Sequence, residues 1–343
     1  MSSPIYEFSF PEFYSLMNEW NEPAYRARQI WHGLYKQFWN SSEQFTNLPS
    51  SLLIRLTEKL QFQVITPVTT LKSSDGQTIK TLFRLDDGRA IEAVLMRYEK
   101  RNTLCISSQV GCGMGCVFCA TGQMGFTRHL SRGEIVAQVM YYACKLHQQC
   151  ETVTNVVVMG MGEPFHNYDN TLAAIDTLND PKGFNLGARR FTISTVGLIP
   201  AIQRFAAEKR QVNLAVSLHA ADDSVRTSML PVNKRYPVDK LLDACRKYVA
   251  STGRRITFEW ALVNGVNDTQ GQAHLLASKI KNLICHVNAI PLNPTLGYSG
   301  QATTRLQAEK FKEILNGYGI PCTIRLRRGI DIQAGCGQLV VQG

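Results

Sequence analysis

The residues best suited to chemistry are three cysteines, Cys112, Cys116 and Cys119, separated by three and then two residues. Cysteine thiolate is the usual ligand of iron in iron–sulfur clusters, so this spacing predicts a loop wrapped around a cube-shaped [4Fe–4S] cluster. Gly113 and Gly115 lie between the ligands and allow the tight turns that such a loop needs. Three protein ligands would leave one iron open to bind a small molecule.

Three other interpretations of these cysteines remain open from the sequence. A structural zinc ion usually takes four ligands in two pairs, whereas only three cysteines are grouped here. A redox pair would need Cys116 and Cys119 but would leave Cys112 unexplained. Cysteine is also a common buried apolar residue, so the group could lack a ligand altogether.

The charge of the chain indicates the kind of partner. Its 343 residues include 37 Lys+Arg against 27 Asp+Glu, a net charge of +10. This excess indicates a polyanionic partner, with nucleic acid as the leading candidate, or equally a generally basic soluble protein. No apolar run approaches the roughly 20 residues of a membrane helix, and the N-terminus does not resemble a secretory signal. We therefore expect no membrane association and a cytoplasmic location. In that reducing compartment, ten cysteines favour metal binding or catalysis over a disulfide framework.

The elements before the cysteines are of two kinds. Apolar residues such as Phe13, Met17 and Trp20 recur at helical spacing, which predicts a small helical N-terminal domain over residues 1–63 that contacts the nucleic acid. Residues 78–84 and 90–96 are rich in β-formers around the turn Asp-Asp-Gly, which predicts a β-hairpin linker within 64–97.

After the cysteines, strand and helix patterns alternate. The predicted strands are 154–159, 190–195, 212–218, 256–261, 287–291 and 322–325. The predicted helices are 132–145, 170–178, 199–206, 238–250, 272–281 and 306–318. This alternation predicts an α/β core over residues 98–332, with a parallel sheet closed or partly closed into a barrel. Ligands of such folds bind at the C-terminal ends of the strands.

The cysteine motif, with aromatic Phe118 directly before its last cysteine, resembles the signature of radical S-adenosylmethionine (SAM) enzymes. That resemblance implies a partial (β/α)6 barrel, a [4Fe–4S] cluster on Cys112, Cys116 and Cys119, and an open iron that binds the methionine part of SAM. It also implies that an electron from the cluster splits SAM and forms a 5′-deoxyadenosyl radical.

Further segments resemble the RlmN/Cfr family of RNA adenosine methyltransferases, in the family's order over nearly the whole chain. They are Thr-Leu-Cys-Ile-Ser-Ser-Gln-Val-Gly around Cys105, Gly-Met-Gly-Glu-Pro at 160–164, Ser-Leu-His-Ala at 217–220 and Gly-Cys-Gly-Gln-Leu around Cys336. One departure is Gly335, since the family usually has alanine before this last cysteine.

The resemblance also implies a SAM pocket. Its Gly-Glu-Pro element, Gly162 and Glu163 here, binds the amino group of the methionine moiety, as expected of a carboxylate beside close-lying backbone. The remaining implied contacts lie at or near the ends of predicted strands: Ser194, Ser217, Leu218, His219 and Asn293.

The family's reaction uses two SAM molecules per turnover, because an electron-poor adenine carbon cannot attack a sulfonium methyl group. By resemblance, Cys336, in a C-terminal segment of residues 333–343, takes a methyl group from the first SAM as a thiolate. The radical from the second removes hydrogen from that methyl group, and the thiomethylene radical adds to adenine. Cys105 then resolves the adduct and closes a disulfide with Cys336. Glu92 matches an acidic residue that could hold the adenine amino group or manage a proton.

The RlmN branch fits best, which implies methylation of carbon 2 of an adenosine in the peptidyl-transferase centre of 23S rRNA. The adenosine 3′ of the anticodon in some tRNAs is a second implied substrate. The alternatives are methylation of carbon 8, as in the Cfr branch that confers antibiotic resistance, and a non-catalytic zinc protein that binds RNA. The expected partners are these RNAs and an electron donor such as a flavodoxin system, and the expected state is a monomer.

Overall fold

The computed structural model describes residues 2–340, in which helices and strands alternate much as the sequence predicts. The described α-helices are α1 (Phe10–Glu19), α2 (Ala24–Tyr35), α3 (Ser50–Lys59), α4 (Ala120–Gln123), α5 (Arg132–His147), α6 (Tyr168–Asn179), α7 (Ile199–Ala207), α8 (Asp223–Met229), α9 (Val238–Thr252), α10 (Gln270–Ile280) and α11 (Arg305–Gly317). The described strands are β1 (Ser3–Pro4), β2 (Leu60–Gln61), β3 (Thr66–Lys72), β4 (Thr78–Arg84), β5 (Ala90–Tyr98), β6 (Arg101–Cys105), β7 (Gln109–Gly111), β8 (Phe126–His129), β9 (Asn155–Val158), β10 (Phe191–Thr195), β11 (Asn213–Ser217), β12 (Ile256–Leu262), β13 (Cys285–Pro291) and β14 (Cys322–Ile324).

One large sheet organises the described chain. Its ten strands run in the order β14-β13-β12-β11-β10-β9-β6-β5-β4-β3, open at both ends, so the barrel is partial. The strands from β14 to β6 are parallel, whereas β6, β5, β4 and β3 form an antiparallel meander. Over residues 2–340 the parallel part thus has seven strands rather than the predicted six. The additional strand is β6, which begins with Arg101 and Asn102 and therefore lacks a continuous apolar run.

The alternation of side chains along the strands separates the core from the site. In β10, Phe191 and Ile193 are fully buried, whereas Thr192 and Ser194, which alternate with them, are only partly buried. Successive side chains of a strand point to opposite faces, so the two polar residues share the face away from Phe191 and Ile193. This alternation positions polar groups for a site inside the partial barrel.

The N-terminal helices pack through aromatic side chains, and this packing is continuous with the main hydrophobic core. Phe10 and Phe13 pack on Trp31, with ring centroids 5.5 and 5.9 Å apart. The start of α1 carries a capping box in which Ser9 and Glu12 satisfy each other's backbone N–H groups. The backbone N–H of Gly133 donates to Glu7 at 2.8 Å and ties this region to α5.

The structure confirms the hairpin, since β4 and β5 pair antiparallel from Thr78–Met96 to Arg84–Ala90. The predicted boundaries at 63/64, 97/98 and 332/333 stay predictions, and residues 341–343 of the predicted C-terminal segment lie outside the described residues. Across the part of the chain that the structure describes, no helix is both long enough and apolar enough to span a membrane.

Candidate active site

The cysteine loop follows β7 and is fixed by backbone hydrogen bonds. The N–H of Cys112 donates to Gly125 at 2.8 Å, and the N–H of Val117 donates to Met229 at 3.1 Å. Gly111 has φ +71°, and a Cβ there would lie 2.0 Å from the carbonyl oxygen of Gly125, so only glycine fits. The loop is therefore held from two sides before any ligand binds.

The three cysteines of the loop can serve together as ligands of a cluster. Burial, with smaller contributions from the charges of Glu163 and Cys119, raises the pKa of Cys112 to about 12, so Cys112 and Cys119 lie within electrostatic range of each other. Among residues 2–340, no three His, Cys, Asp or Glu side chains converge well enough to hold one metal ion. Structural zinc needs such convergence, whereas a cluster takes each thiolate on a different iron. Three thiolates on one loop can each take a different iron, so these residues fit a [4Fe–4S] cluster.

Gly162 and Glu163 lie in the turn after β9, beside the cysteine loop. Gly162 has φ +105°, and a Cβ there would lie 2.6 Å from Gln109. Glu163 is almost fully buried, and its carboxylate accepts N–H bonds from Val196 at 2.8 Å and Phe165 at 3.0 Å. Burial is the main cause that raises its pKa, to about 7. A cation bound at this carboxylate would offset that burial.

The predicted contacts at the next two strand ends also come together. The hydroxyl oxygens of Ser194 and Ser217 are 3.4 Å apart across β10 and β11. Leu218 and His219 follow directly and are buried. The Nδ1 atom of His219 accepts the N–H of Ala261 at 2.8 Å, and burial lowers the pKa of His219 to about 3. His219 is therefore a neutral imidazole whose Nε2 carries the proton.

Asn293 links the strand ends to the C-terminal segment. Its side-chain N–H donates to the carbonyl of Cys336 at 3.0 Å, while its Oδ1 is buried without a hydrogen-bond partner. Such an orphaned acceptor indicates a missing donor, since buried polar atoms are normally satisfied. A Cβ at Gly335 would approach the Asn293 amide nitrogen to 2.7 Å, so glycine there gives Asn293 its room.

Cys336 lies against the cysteine loop. The N–H of Ala120 donates to Gly337 at 2.8 Å, and the hydroxyl of Thr121 donates to Leu339 at 2.6 Å. Cys336 is an exposed residue. Desolvation by the protein atoms around its thiol raises its pKa to about 12, with contributions from the charges of Cys105 and Cys119. Two thiols separated by most of the sequence are thus close enough for their charges to interact. All ten cysteines are unbonded thiols.

Glu92 anchors the same segment from the other side. It forms a buried ion pair with Lys80 at 2.8 Å, and it accepts the N–H of Val340 at 3.0 Å. Lys80 also donates to the carbonyl of Gln333 at 3.2 Å. Burial raises the pKa of Glu92, and the ammonium of Lys80 opposes that shift. Glu92 is therefore not an exposed strand residue, and it touches the segment that carries Cys336.

Three site residues escaped the sequence analysis. Lys80 has a usable signal, because the register of the predicted hairpin puts it on the same face as Glu92. Glu259 is buried on β12 and accepts the amide of Asn288 at 2.9 Å, and it lies near Cys336. Arg226, on α8, is fully buried. Neither Glu259 nor Arg226 belongs to a recognisable motif, so the sequence offered no signal for them.

Comparisons with known proteins agree with this geometry. Residues 106–276 match the family described as the Radical SAM superfamily. The dual-specificity RNA methyltransferase RlmN 1 of Myxococcus xanthus is 47% identical over 338 residues, covering 98% of this chain and 94% of that protein. An RlmN relative from Chloroflexus aurantiacus is 46% identical over 346 residues, covering 98% of this chain and 92% of its own.

A solved structure shows the same fold. The crystal structure of a radical SAM methyltransferase from Sphaerobacter thermophilus superposes with a TM-score of 0.96 at 48% identity, covering 98% of this chain and 99% of that one. The predicted partial barrel is thereby confirmed, and so are the expected cofactors, a [4Fe–4S] cluster and SAM. The individual roles of the site residues stay predictions. The chain belongs to the RlmN family of radical SAM RNA methyltransferases.

Proposed function

We propose that the chain methylates carbon 2 of adenosine in RNA, through a methyl group carried on Cys336. The observation that carries this proposal is the packing of the segment around Cys336 on the cysteine loop, within electrostatic range of Cys105. A radical source alone would not need two further thiols. Their proximity supports a reaction in which one thiol carries the methyl group and the other releases the product.

The cofactor site is built from the residues already described. Cys112, Cys116 and Cys119 would hold the cluster, which when bound supplies the electron that splits SAM into a carbon radical. Glu163 and the orphaned Oδ1 of Asn293 are the acceptors available for the ammonium group of SAM. The buried surroundings exclude water from a site that must protect a radical.

Cys336 acts twice on the bound substrates. As a thiolate it attacks the methyl carbon of one SAM and forms a carbon–sulfur bond, and S-adenosylhomocysteine leaves. Its raised pKa disfavours the thiolate in the empty site, and the positive sulfonium of bound SAM offsets this effect. The S-methyl group then gives a hydrogen atom to the radical, and the resulting carbon radical bonds to carbon 2 of the adenine. That carbon loses its proton, and the adduct gives up one electron, which the oxidised cluster would take back, so a closed-shell thioether remains. Glu92 fixes the backbone at Val340, so it positions this segment.

Cys105 is the group that would release the product. The adduct joins Cys336 to RNA through a methylene bridge. Cys105, as a thiolate, attacks the Cys336 sulfur, the carbon–sulfur bond breaks, and the methylene carbon keeps the electron pair and takes a proton to become the methyl group. The resulting disulfide is then reduced by an external thiol or electron donor. Both thiols are unbonded in this structure, as required at the start of a cycle.

The proposed substrates are 23S rRNA, at an adenosine of the peptidyl-transferase centre, and tRNA, at the adenosine 3′ of the anticodon. The net charge of +10 supports binding of the RNA backbone. Close to Cys336 in the chain, Arg328 stacks on Tyr98 at 4.5 Å, and Arg101 stacks on the same ring at 4.3 Å. The target base must leave its stack to reach the Cys336 thiol. We also propose a flavodoxin-like electron donor, a monomeric state and a cytoplasmic location.

The deciding experiment is anaerobic methylation of both RNAs, with mass spectrometry to locate the methyl group on fragments. Methyl on carbon 2 supports the proposal, methyl on carbon 8 supports the Cfr-type alternative, and no SAM cleavage by iron-loaded protein contradicts both. A non-catalytic zinc protein would bind RNA normally after Cys336→Ala and would never cleave SAM.

A second experiment tests Cys105. The Cys105→Ala variant should accumulate protein covalently bound to RNA. Release of free methylated RNA at the normal rate would show that Cys105 does not release the product.

A further inference from the structure

A buried guanidinium beside the cysteine loop has only neutral partners. Arg226 is 0% exposed, and all five of its N–H groups donate to oxygen atoms that carry no formal charge. The acceptors are the carbonyls of Leu218 at 3.0 Å, Tyr236 at 3.2 Å, Val196 at 2.7 Å and Ser217 at 3.3 Å, and the side chain of Asn233 at 2.8 Å. The hydrogen bonds are complete, but the charge is not neutralised.

The segment that carries Arg226 packs directly on the cysteine loop. Met229, one turn after Arg226, accepts the backbone N–H of Val117, and Met229 and Leu230 share an apolar cluster with Cys116. Arg226 therefore lies one helical turn from residues that contact the cysteine loop and the middle cysteine of the motif.

A buried charge without a counter-ion is costly, so proteins pair such charges or place them near an ion. The nearest carboxylate in the network is Asp223, which reaches Arg226 only through the amide of Asn233. All five N–H groups of Arg226 are already used, so it has no donor left to hydrogen-bond the carboxylate of a ligand. Its positive charge can therefore act only electrostatically, on a nearby anion.

We propose that Arg226 is the charge-compensating residue of the iron–sulfur cluster and makes the cluster easier to reduce. This inference rests on the proposed cluster site at Cys112, Cys116 and Cys119. A cluster with three thiolate ligands is anionic, and it gains one further negative charge when a one-electron donor reduces it. A fixed cation stabilises the reduced form more than the oxidised form, so it raises the reduction potential. At the same time, Arg226 joins the ends of β10 and β11 through Val196 and Ser217.

The experiment measures the midpoint potential of the reconstituted cluster without SAM, by redox titration followed with electron paramagnetic resonance. Arg226→Gln should shift the midpoint potential to a more negative value. Arg226→Lys keeps the positive charge, so its midpoint potential should stay closer to that of the unchanged protein. Both variants lose most of the carbonyl bonds, so both should lower the melting temperature of the iron-free protein. If Arg226 has only a structural role, both variants should keep the midpoint potential of the unchanged protein, or both should shift it by the same amount.

A charge-conserving exchange keeps the test valid if these variants fold poorly. Asp223→Asn combined with Asn233→Asp moves one negative charge from the surface to direct contact with Arg226, and the two side chains can still bond to each other. This double variant should also lower the potential. Arg246→Gln removes an exposed cation from α9 and is the matched control, for which we expect no shift.

The outcomes separate the two proposals. If the unchanged protein does not load a cluster, the proposed function itself fails. If the cluster loads but its potential is unaltered by Arg226→Gln and by the exchange, the inference about Arg226 is wrong. A defect that emerges only as weaker SAM binding, with an unchanged potential, would instead assign the charge of Arg226 to SAM and overturn the proposal.

Discussion

The two ends of the described chain are attached to the sheet by different forces. The N-terminal region buries Ile5, Phe13, Met17 and Trp31 almost completely, so apolar contact holds it. The C-terminal segment is held largely by hydrogen bonds and by the buried Lys80–Glu92 pair on its far side. Apolar burial has no preferred direction, whereas hydrogen bonds fix positions. The first end is therefore suited to attachment, and the second is suited to placing one thiol.

The largest effect is expected where the apolar attachment is broken. Phe13→Ala removes a fully buried ring and leaves a cavity against Trp31, at a cost of about 3–5 kcal/mol in the free energy of unfolding. Chemical denaturation measures this loss. The alkylation rate of Cys336 in the folded protein should not change, and an altered rate would show that the two ends are coupled.

The next effect concerns the ion pair at the other end. Glu92→Leu leaves the buried ammonium of Lys80 without its carboxylate partner. We expect the free energy of unfolding to fall by about 3 kcal/mol. This value is at the lower end of the range for broken buried ion pairs, because the C-terminal segment can shift and admit water to Lys80. Adding Lys80→Met removes that unpaired charge and should recover most of the stability. Methylation should remain impaired in the double variant, and full activity would mean that Glu92 has no part in placing Cys336.

A smaller effect is expected from a single hydrogen bond to the segment. Asn293→Ala removes the donor to the carbonyl of Cys336, worth about 0.5–1.5 kcal/mol, and should also weaken SAM binding. Calorimetry with SAM and alkylation of Cys336 provide the two measurements. Asn316→Ala, at an exposed position of α11, is the matched control and should change neither value.

The smallest effect comes from a surface ion pair at the N-terminal end. The guanidinium of Arg132 lowers the pKa of Glu12 from 4.5 to about 2. Since the folded-state pKa is the lower one, the stabilisation is complete above pH 4.5 and is lost as the pH falls toward 2. Glu12 is half-exposed, so the contribution is below about 1 kcal/mol. Unfolding titrations should show this dependence, and Glu12→Gln should abolish it.

Much of the fold could be predicted because its signals are local. The six predicted strands and the helices between them are observed within a few residues, since apolar periodicity and capping residues are read along the chain. The number of parallel strands could not be predicted, because the polar start of β6 masks a strand whose place depends on pairing with β9. Such pairing is a property of the assembled sheet.

The candidate site also has a part that is local in the sequence and a part that depends on the assembled fold. The cysteine motif and the Gly-Glu-Pro turn are contiguous, so they could be recognised from the sequence together with the family they suggest. Arg226 and Glu259 could not be found, because each is defined by burial and by partners on distant elements. The buried position of Glu92 likewise depends on Lys80 and on Val340, which lies 248 residues away in the sequence.

The hydrogen bond between Thr121 and Leu339 has a consequence for biosynthesis. These residues are 218 positions apart, so the ribosome makes the cysteine loop long before it makes the segment that covers it. At roughly 5–20 residues per second, the delay is on the order of 10–40 s. Throughout that time a nascent chain already carries Cys112, Cys116 and Cys119 but lacks Cys336. Synthesis therefore adds the proposed methyl carrier last, after the loop that is proposed to hold the cluster.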